Sequence, residues 1–172
     1  MNYKGGSLIQ NAVNIAHSIA PREIIVITGA DADDIKNSVQ HPPVRWLHNP
    51  HWSTGMGGSI ALGAARINPE STGLMILLCD QWRVQTQDLE MLADRWHDNP
   101  QRIVVSEAEG QYMPPVIFPA ACFNRLCGLE GDQGARRLFQ DYPELLTPVP
   151  MKNAVFDLDT RSQLEKLEKS PD

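Results

Sequence analysis

The run Leu74-Met75-Ile76-Leu77-Leu78-Cys79 is the most apolar stretch of the chain, and it stops abruptly at Asp80. Unbroken apolar residues without alternation leave neither face suited to water, so they predict a strand covered on both sides. Such a strand needs helices above and below its sheet. It also delivers whatever follows it, here a carboxylate, to the carboxyl edge of that sheet.

The remaining segments supply those layers. Ser7 to Ile19 places Leu8, Ala12, Ile15, Ala16 and Ile19 at helical spacing, with Ser7 as a good N-cap, and Pro21 ends the helix. Glu23 to Thr28 is a short β-branched run that reads as a strand. Gly29 gives a turn, Asp31 opens a helix reaching about Gln40, and His41-Pro42-Pro43 stops it. Val44 to His48 is the next strand. Thr54-Gly55-Met56-Gly57-Gly58-Ser59 then leads into a helical segment from Ile60 to Ile67.

Thr86 caps a helix from about Gln87 to His97, and Arg102 to Ser106 and Met113 to Phe118 read as strands, the second despite its prolines. Short helices are expected at Ala121 to Cys127 and Gln133 to Asp141. The capping box Thr160-Arg161-Ser162-Gln163 opens a terminal helix. Alternation of this kind predicts one α/β domain over residues 1–172, with a mostly parallel sheet and helices on both faces.

Composition narrows the function classes. Apolar residues make up 42% and charged residues 21% of 172, ordinary for a folded domain with a substantial core. A net charge of −6 argues against a nucleic-acid surface. No apolar run approaches the roughly 20 residues that span a bilayer, so no membrane association is expected. Three cysteines without a framework spacing suggest reduced thiols in a cytoplasmic protein, with Cys122 and Cys127 packing on a helix.

In open α/β sheets, ligands bind beyond the carboxyl ends of the strands. Asp80 stands there, either as a ligand for a hard cation that bridges phosphates or as the cap of the following turn. Gly55, Gly57, Gly58 and Ser59 either admit a ligand close to the backbone or simply make a tight turn. Asp157 and Asp159 would share one face of a strand, or Asp159 is a surface acid beside a helix start. His41, His48 and His51 read as ordinary loop histidines, because no third ligand stands at zinc spacing. Trp46, Trp52, Trp82 and Trp96 lie on four separate elements and read as packing residues.

Five stretches in order resemble the MobA-like nucleotidyltransferase family, nearest its molybdenum-cofactor cytidylyltransferase branch. They are Asn49-Pro50-His51-Trp52-Ser53-Thr54-Gly55-Met56-Gly57-Gly58-Ser59, Leu77-Leu78-Cys79-Asp80-Gln81, Pro115-Val116-Ile117-Phe118-Pro119, Gly131-Asp132-Gln133-Gly134-Ala135-Arg136 and Phe156-Asp157-Leu158-Asp159-Thr160. The resemblance implies a Rossmann-like three-layer fold and transfer of CMP from CTP to molybdopterin-bound molybdenum, releasing pyrophosphate. It implies Asp80 and Asp159 as catalytic ligands of Mg2+, Gly55, Gly57, Gly58 and Ser59 at the nucleotide, and Asp132 and Arg136 near the acceptor.

Two motifs depart from the family. Asp80-Gln81-Trp82 replaces Asp-Gln-Pro, and Met113-Pro114-Pro115 replaces Gly-His-Pro. The family's opening strand and loop, close to Leu-Ala-Ala-Gly-x-Ser-x-Arg-Met-Gly, have no counterpart here, and Lys4 sits too late for the lysine that follows. The resemblance therefore predicts a domain truncated at its N-terminus, with the first strand missing and two strand edges left unpaired. Either translation begins upstream of Met1, or the chain is a shortened relative that has lost catalysis. In both cases the 172-residue chain is expected to be inactive. The rival functions are a non-catalytic relative that binds nucleotide, cofactor or a molybdoenzyme, and a sugar-phosphate nucleotidyltransferase.

Overall fold

The computed structural model describes residues 2–3, 6–40 and 42–158. A small antiparallel pair, β1 (Asn2–Tyr3) and β2 (Gly6–Ser7), precedes helix α1 (Leu8–Ser18). The Ser7 side chain caps α1 as expected, accepting from the Gln10 amide at 3.1 Å. Then follow β3 (Ile25–Thr28), α2 (Ala32–Asn37), β4 (Arg45–His48), α3 (Met56–Ala64), β5 (Gly73–Ile76) and α4 (Thr86–Asp98). The chain continues through β6 (Ile103–Ala108), β7 (Gln111–Pro119), α5 (Phe123–Cys127), α6 (Arg136–Asp141) and β8 (Leu146–Pro150). The helix expected from Thr160 lies outside the described residues.

The strands form two blocks. β3 and β4 pair in parallel, while the larger sheet has the order β5-β7-β6-β8. β7 runs antiparallel to both neighbours and β8 parallel to β6, so β5, β6 and β8 share one direction and β7 alone is reversed. The α/β, Rossmann-like expectation is met.

Alternation along β6 and β7 builds a core on each face. Ile103, Val105, Val116 and Phe118 pack with Ile60 of α3, Leu126 of α5, and Leu138 and Phe139 of α6. Val104 and Ile117 face the other way, against Leu92 of α4, Val149, Met151 and Ala154. Phe118 stacks on Phe139 at 6.1 Å between ring centroids. Each face thus has its own helical layer, and the sheet lies between them.

β5 departs from the expectation of full cover. Its four residues are only half-buried, and Leu77 and Leu78 continue half-buried in irregular chain before a turn at Cys79 and Asp80. The reason is topological: β5 pairs with β7 on one side, and β3 with β4 on one side. Among the described residues, no strand pairs with the other edge of either. Apolar content alone did not reveal which neighbours the run would have.

The β6–β7 hairpin turns through Glu109 (φ 53°) and Gly110 (φ 74°), the two left-handed residues of a tight hairpin turn. A register shift after Val105 absorbs Pro114 and Pro115, so the prolines sit at a bulge. This explains why a strand survives there. It also turns the Pro114 carbonyl away from the ladder, where another group claims it.

Candidate active site

Asp80 sits in the turn beyond β5, at the carboxyl edge of the larger sheet. Its carbonyl accepts from the Trp82 amide at 2.8 Å and from the Leu158 amide at 3.0 Å. The second bond ties the segment carrying Asp157 to the end of β5. Asp80 serves its turn through the backbone, and the residue is one wall of a cavity of about 270 Å³, with its Oδ1 buried. Glu109, Arg136 and Asp157 also line that cavity.

Gln81 makes the arrangement rigid. It is 6% exposed, and its Nε2 donates at 2.7 Å to both the Pro114 carbonyl and the Ala154 carbonyl. Three segments distant in sequence are joined at one amide: the β5 turn, the bulge of β7, and the 152–155 turn leading to Asp157. Without a donor, those buried carbonyls would remain unsatisfied, which is costly in a low-dielectric interior.

Of the sequence-predicted acids, Asp157 comes to the cavity together with Asp80, and Asp159 lies outside the described residues. The two residues expected near an acceptor separate. Arg136 faces the cavity with Asp80, whereas Asp132 packs against the glycine loop. Among the described residues, no three Asp, Glu, His or Cys side chains gather into a metal cage. Desolvation by the surrounding chain, and then the neighbouring Asp80 carboxylate, push the Cys79 thiol up from its ordinary value, although Cys79 still reaches solvent.

The glycine loop is corrected in one respect. Helix α3 starts at Met56, so Gly57, Gly58 and Ser59 form its first turn rather than a loop before it. Gly55 precedes it with φ 119°, a conformation that favours glycine. A Cβ at Gly55 would lie 2.4 Å from the Gly131 carbonyl carbon and 2.5 Å from Asp132 Oδ1. At Gly57 it would lie 2.7 Å from the Glu130 carbonyl. The close approach these two glycines allow is therefore to the 130–132 backbone.

Gly58 is different: its nearest neighbours, Asn49 Nδ2 and Thr54 Oγ1, are at 3.8 Å. Gly57→Ala is thus expected to cost about 1–3 kcal/mol through overpacking. Gly58→Ala is expected to be neutral, or to stabilise by up to about 1 kcal/mol through helix propensity. Urea titration of the two variants checks the contrast.

Asn49, at the carboxyl end of β4, organises this second corner. It is 6% exposed; its amide donates to the Thr28 carbonyl at 2.8 Å, and its Oδ1 accepts from the His51 amide at 3.0 Å. Its Nδ2 donates to Ser59 Oγ at 3.0 Å. Asn49 stands first in a family-like motif, but the sequence alone assigns it no role. A buried asparagine directly after a strand, ahead of a proline, was the available signal.

Arg83 was also missed. Its guanidinium carbon lies 4.7 Å from the centre of the Trp82 ring and 4.0 Å from that of Phe156. A larger open groove of about 500 Å³ runs between α4 and β8, lined by Met91, Asp94 and Pro148. It lies away from the strand-end carboxylates, so the Asp80 cavity is the better candidate.

Comparisons with known proteins identify the family and the fold. The model of the MobA-like NTP transferase domain matches residues 1–146. The purine catabolism protein PucB of Bacillus subtilis is 30% identical over 59% of this chain, which spans 56% of that relative's length. Nicotine blue oxidoreductase of Paenarthrobacter nicotinovorans is 24% identical over 96% of this chain and 84% of its own. The manganese complex of Rv0371c from Mycobacterium tuberculosis superposes with a TM-score of 0.83 at 19% identity, covering 99% of this chain and 90% of the other. No helix among the described residues is long and apolar enough to cross a membrane. The chain belongs to the MobA-like NTP transferase domain family.

Proposed function

We propose that this protein is a Mg2+-dependent cytidylyltransferase of molybdenum cofactor biosynthesis, taking CTP as donor and the terminal phosphate of molybdopterin-bound molybdenum as acceptor. The observation that carries this reading is the meeting of Asp80 and Asp157 at one cavity, with Arg136 among its walls, beyond the carboxyl end of β5. A purely structural acid pair has no need of a clamp such as Gln81.

The donor set fits a hard divalent cation. Mg2+ takes one or two carboxylates, keeps several waters and completes its octahedron with substrate phosphates, so a preformed three-acid cage is not required. Asp80 and Asp159 are the proposed ligands, and Asp157, a wall of the same cavity as Asp80, would add negative charge to the cation's surroundings. Bound Mg2+ supplies charge neutralisation at the triphosphate.

The protein's own contribution is positioning. An acceptor phosphate oxygen forms a new bond to the α-phosphorus of CTP. The bridging α–β P–O bond breaks, and pyrophosphate leaves with that electron pair. Arg136, with Asp132 nearby in sequence, orients the acceptor. Gly58 and Ser59, set on Asn49, lie on the side proposed for base and ribose, with Gly55 and Gly57 holding the 130–132 turn against them. No side-chain nucleophile is called for.

A second reading is a family member that binds nucleotide, cofactor or a molybdoenzyme without transferring anything. A relative matched over nearly the whole chain is named for an oxidoreductase activity, so likeness of this extent does not by itself carry nucleotidyl transfer. Calorimetric titration of CTP and GTP in Mg2+ tests nucleotide use and base preference. CTP should bind at least about tenfold tighter, a difference of about 1.4 kcal/mol. Equal affinity would remove the cytidylyl assignment. Pyrophosphate release from CTP and loaded molybdopterin tests transfer itself: the expectation for the 172-residue chain is no release above background, and robust turnover would overturn that expectation and the binding-only reading together.

A further inference from the structure

We propose that Arg83 is an oxyanion-binding residue of this site, presenting its guanidinium to a phosphate group of the bound substrates. The inference rests on the nucleotidyl-transfer reading, since that reading is what brings phosphate to this end of the sheet.

Arg83 belongs to the turn that carries Asp80 and Gln81, and it is half-buried. The two rings that stack on it come from the two acid-bearing segments. Trp82 follows Asp80-Gln81, and Phe156 immediately precedes Asp157. Whatever fixes the acids therefore fixes the guanidinium as well. Contacts of this kind run through the ring π-systems and do not use the N–H donors of the guanidinium.

Those donors have no ion pair and no hydrogen bond among the described residues, although Asp157 is the residue next to Phe156. A half-buried arginine retained for stability alone normally has a carboxylate or carbonyl partner. Here the cation is held rigid while its donors are kept open. A planar fork of donors matches the oxygens of a phosphate, which a lysine ammonium does so only as a point charge.

The charge balance of the site points the same way. The cavity walls carry Asp80, Glu109 and Asp157 against one cation, Arg136. A triphosphate and a phosphate acceptor bring more negative charge than one arginine and one divalent cation offset. Arg83 is not itself a wall of that cavity, but it belongs to the turn that carries Asp80 and Gln81, which are, and it is the further cation, held by two rings before the ligand arrives. Pre-orientation of this kind removes the entropy cost of ordering a long side chain on binding.

The phosphate has two sources, the pyrophosphate end of the donor or the acceptor's phosphate. Isothermal titration in Mg2+ with three probes separates them: inorganic pyrophosphate, CMP, and inorganic phosphate added to CTP-saturated protein. For Arg83→Met, a donor contact predicts a loss of about 10- to 100-fold in pyrophosphate affinity with CMP unchanged, the size expected for a charge-assisted contact. An acceptor contact predicts the same loss for phosphate on the CTP-loaded protein instead. Arg83→Lys should retain part of the affinity in whichever arm responds. A merely structural arginine would lower the thermal midpoint of the ligand-free protein and leave both affinities unmoved.

Affinities within twofold of wild type in both arms would overturn the proposal. Wild-type protein that binds neither Mg2+·CTP nor pyrophosphate would overturn it together with the nucleotidyl-transfer reading. The two failures are therefore distinguishable.

Discussion

Asp80→Asn is expected to weaken Mg2+·CTP binding by about 100-fold or more while leaving the fold intact. Asparagine keeps the size of the side chain, and the backbone bonds from Trp82 and Leu158 go to the Asp80 carbonyl, which the substitution does not touch. What disappears is the negative charge that the proposed function assigns to holding a divalent cation. An interaction of several kcal/mol is at stake there, and about 3 kcal/mol is already a hundredfold. Titration of Mn2+ by electron paramagnetic resonance, with and without CTP, reads the loss directly.

The same variant has a second readout. Asp80 is one of the two causes that hold the Cys79 thiol up, the first being burial. Removing its charge should lower that thiol and speed alkylation of Cys79 at mildly alkaline pH, followed by mass spectrometry of the labelled peptide. The sign for stability follows from linkage. A thiol raised in the folded state contributes stability below its unfolded value and loses it as pH climbs through the folded one, so its effect is confined to alkaline solution. An Asp80→Asn protein with unchanged metal affinity would remove Asp80 from the cation site.

Gln81→Ala should be the most damaging conservative truncation near the cavity. It leaves the Pro114 and Ala154 carbonyls without the donor they now share, at roughly 1–3 kcal/mol for each group left unsatisfied. A loss of about 2–5 kcal/mol in unfolding free energy is expected from chemical denaturation. Gln81→Glu is the informative partner, because it keeps the volume but offers acceptors where donors are needed. It should be no more stable than the alanine variant. Affinity for Mg2+·CTP should fall alongside, since the clamp sets the separation of Asp80 and Asp157. Retained stability in both variants would show that water or neighbouring chain readily replaces the amide.

These effects explain what the sequence could and could not disclose. Local signals carried the elements: the Ser7 cap, the β-branched run before Thr28 and the start of α4 depend on neighbours within one turn or a few residues, although the cap of α4 is Gln85, paired with Asp88, rather than Thr86. The α/β class followed from their alternation. The apolar run at Leu74 misled on cover, because its burial depends on which strands flank it rather than on its own residues. The start of α3 was placed too late, since glycines at 57 and 58 weaken helix propensity while packing against 130–132 favours the turn.

The site divides along the same line. Asp80 was legible from its place after an apolar run, and Arg136 from a motif. Gln81 was quoted without a role because its partners lie 33 and 73 residues away in sequence. Arg83 drew no notice, for the ring that completes its stack, Phe156, is equally remote. Contacts of such long range leave no periodicity to read. They become visible only when these distant segments meet at the carboxyl edge of the sheet.

The central claim is that this carboxyl-edge cavity holds a cytidine nucleotide through a divalent cation on Asp80. The most direct test is a calorimetric titration of the wild-type protein with CTP and GTP, each in Mg2+ and again in excess chelator. The account predicts metal-dependent binding that favours CTP by about tenfold or more and vanishes with the chelator. Binding that ignores the metal, or that treats the two nucleotides alike, would contradict it.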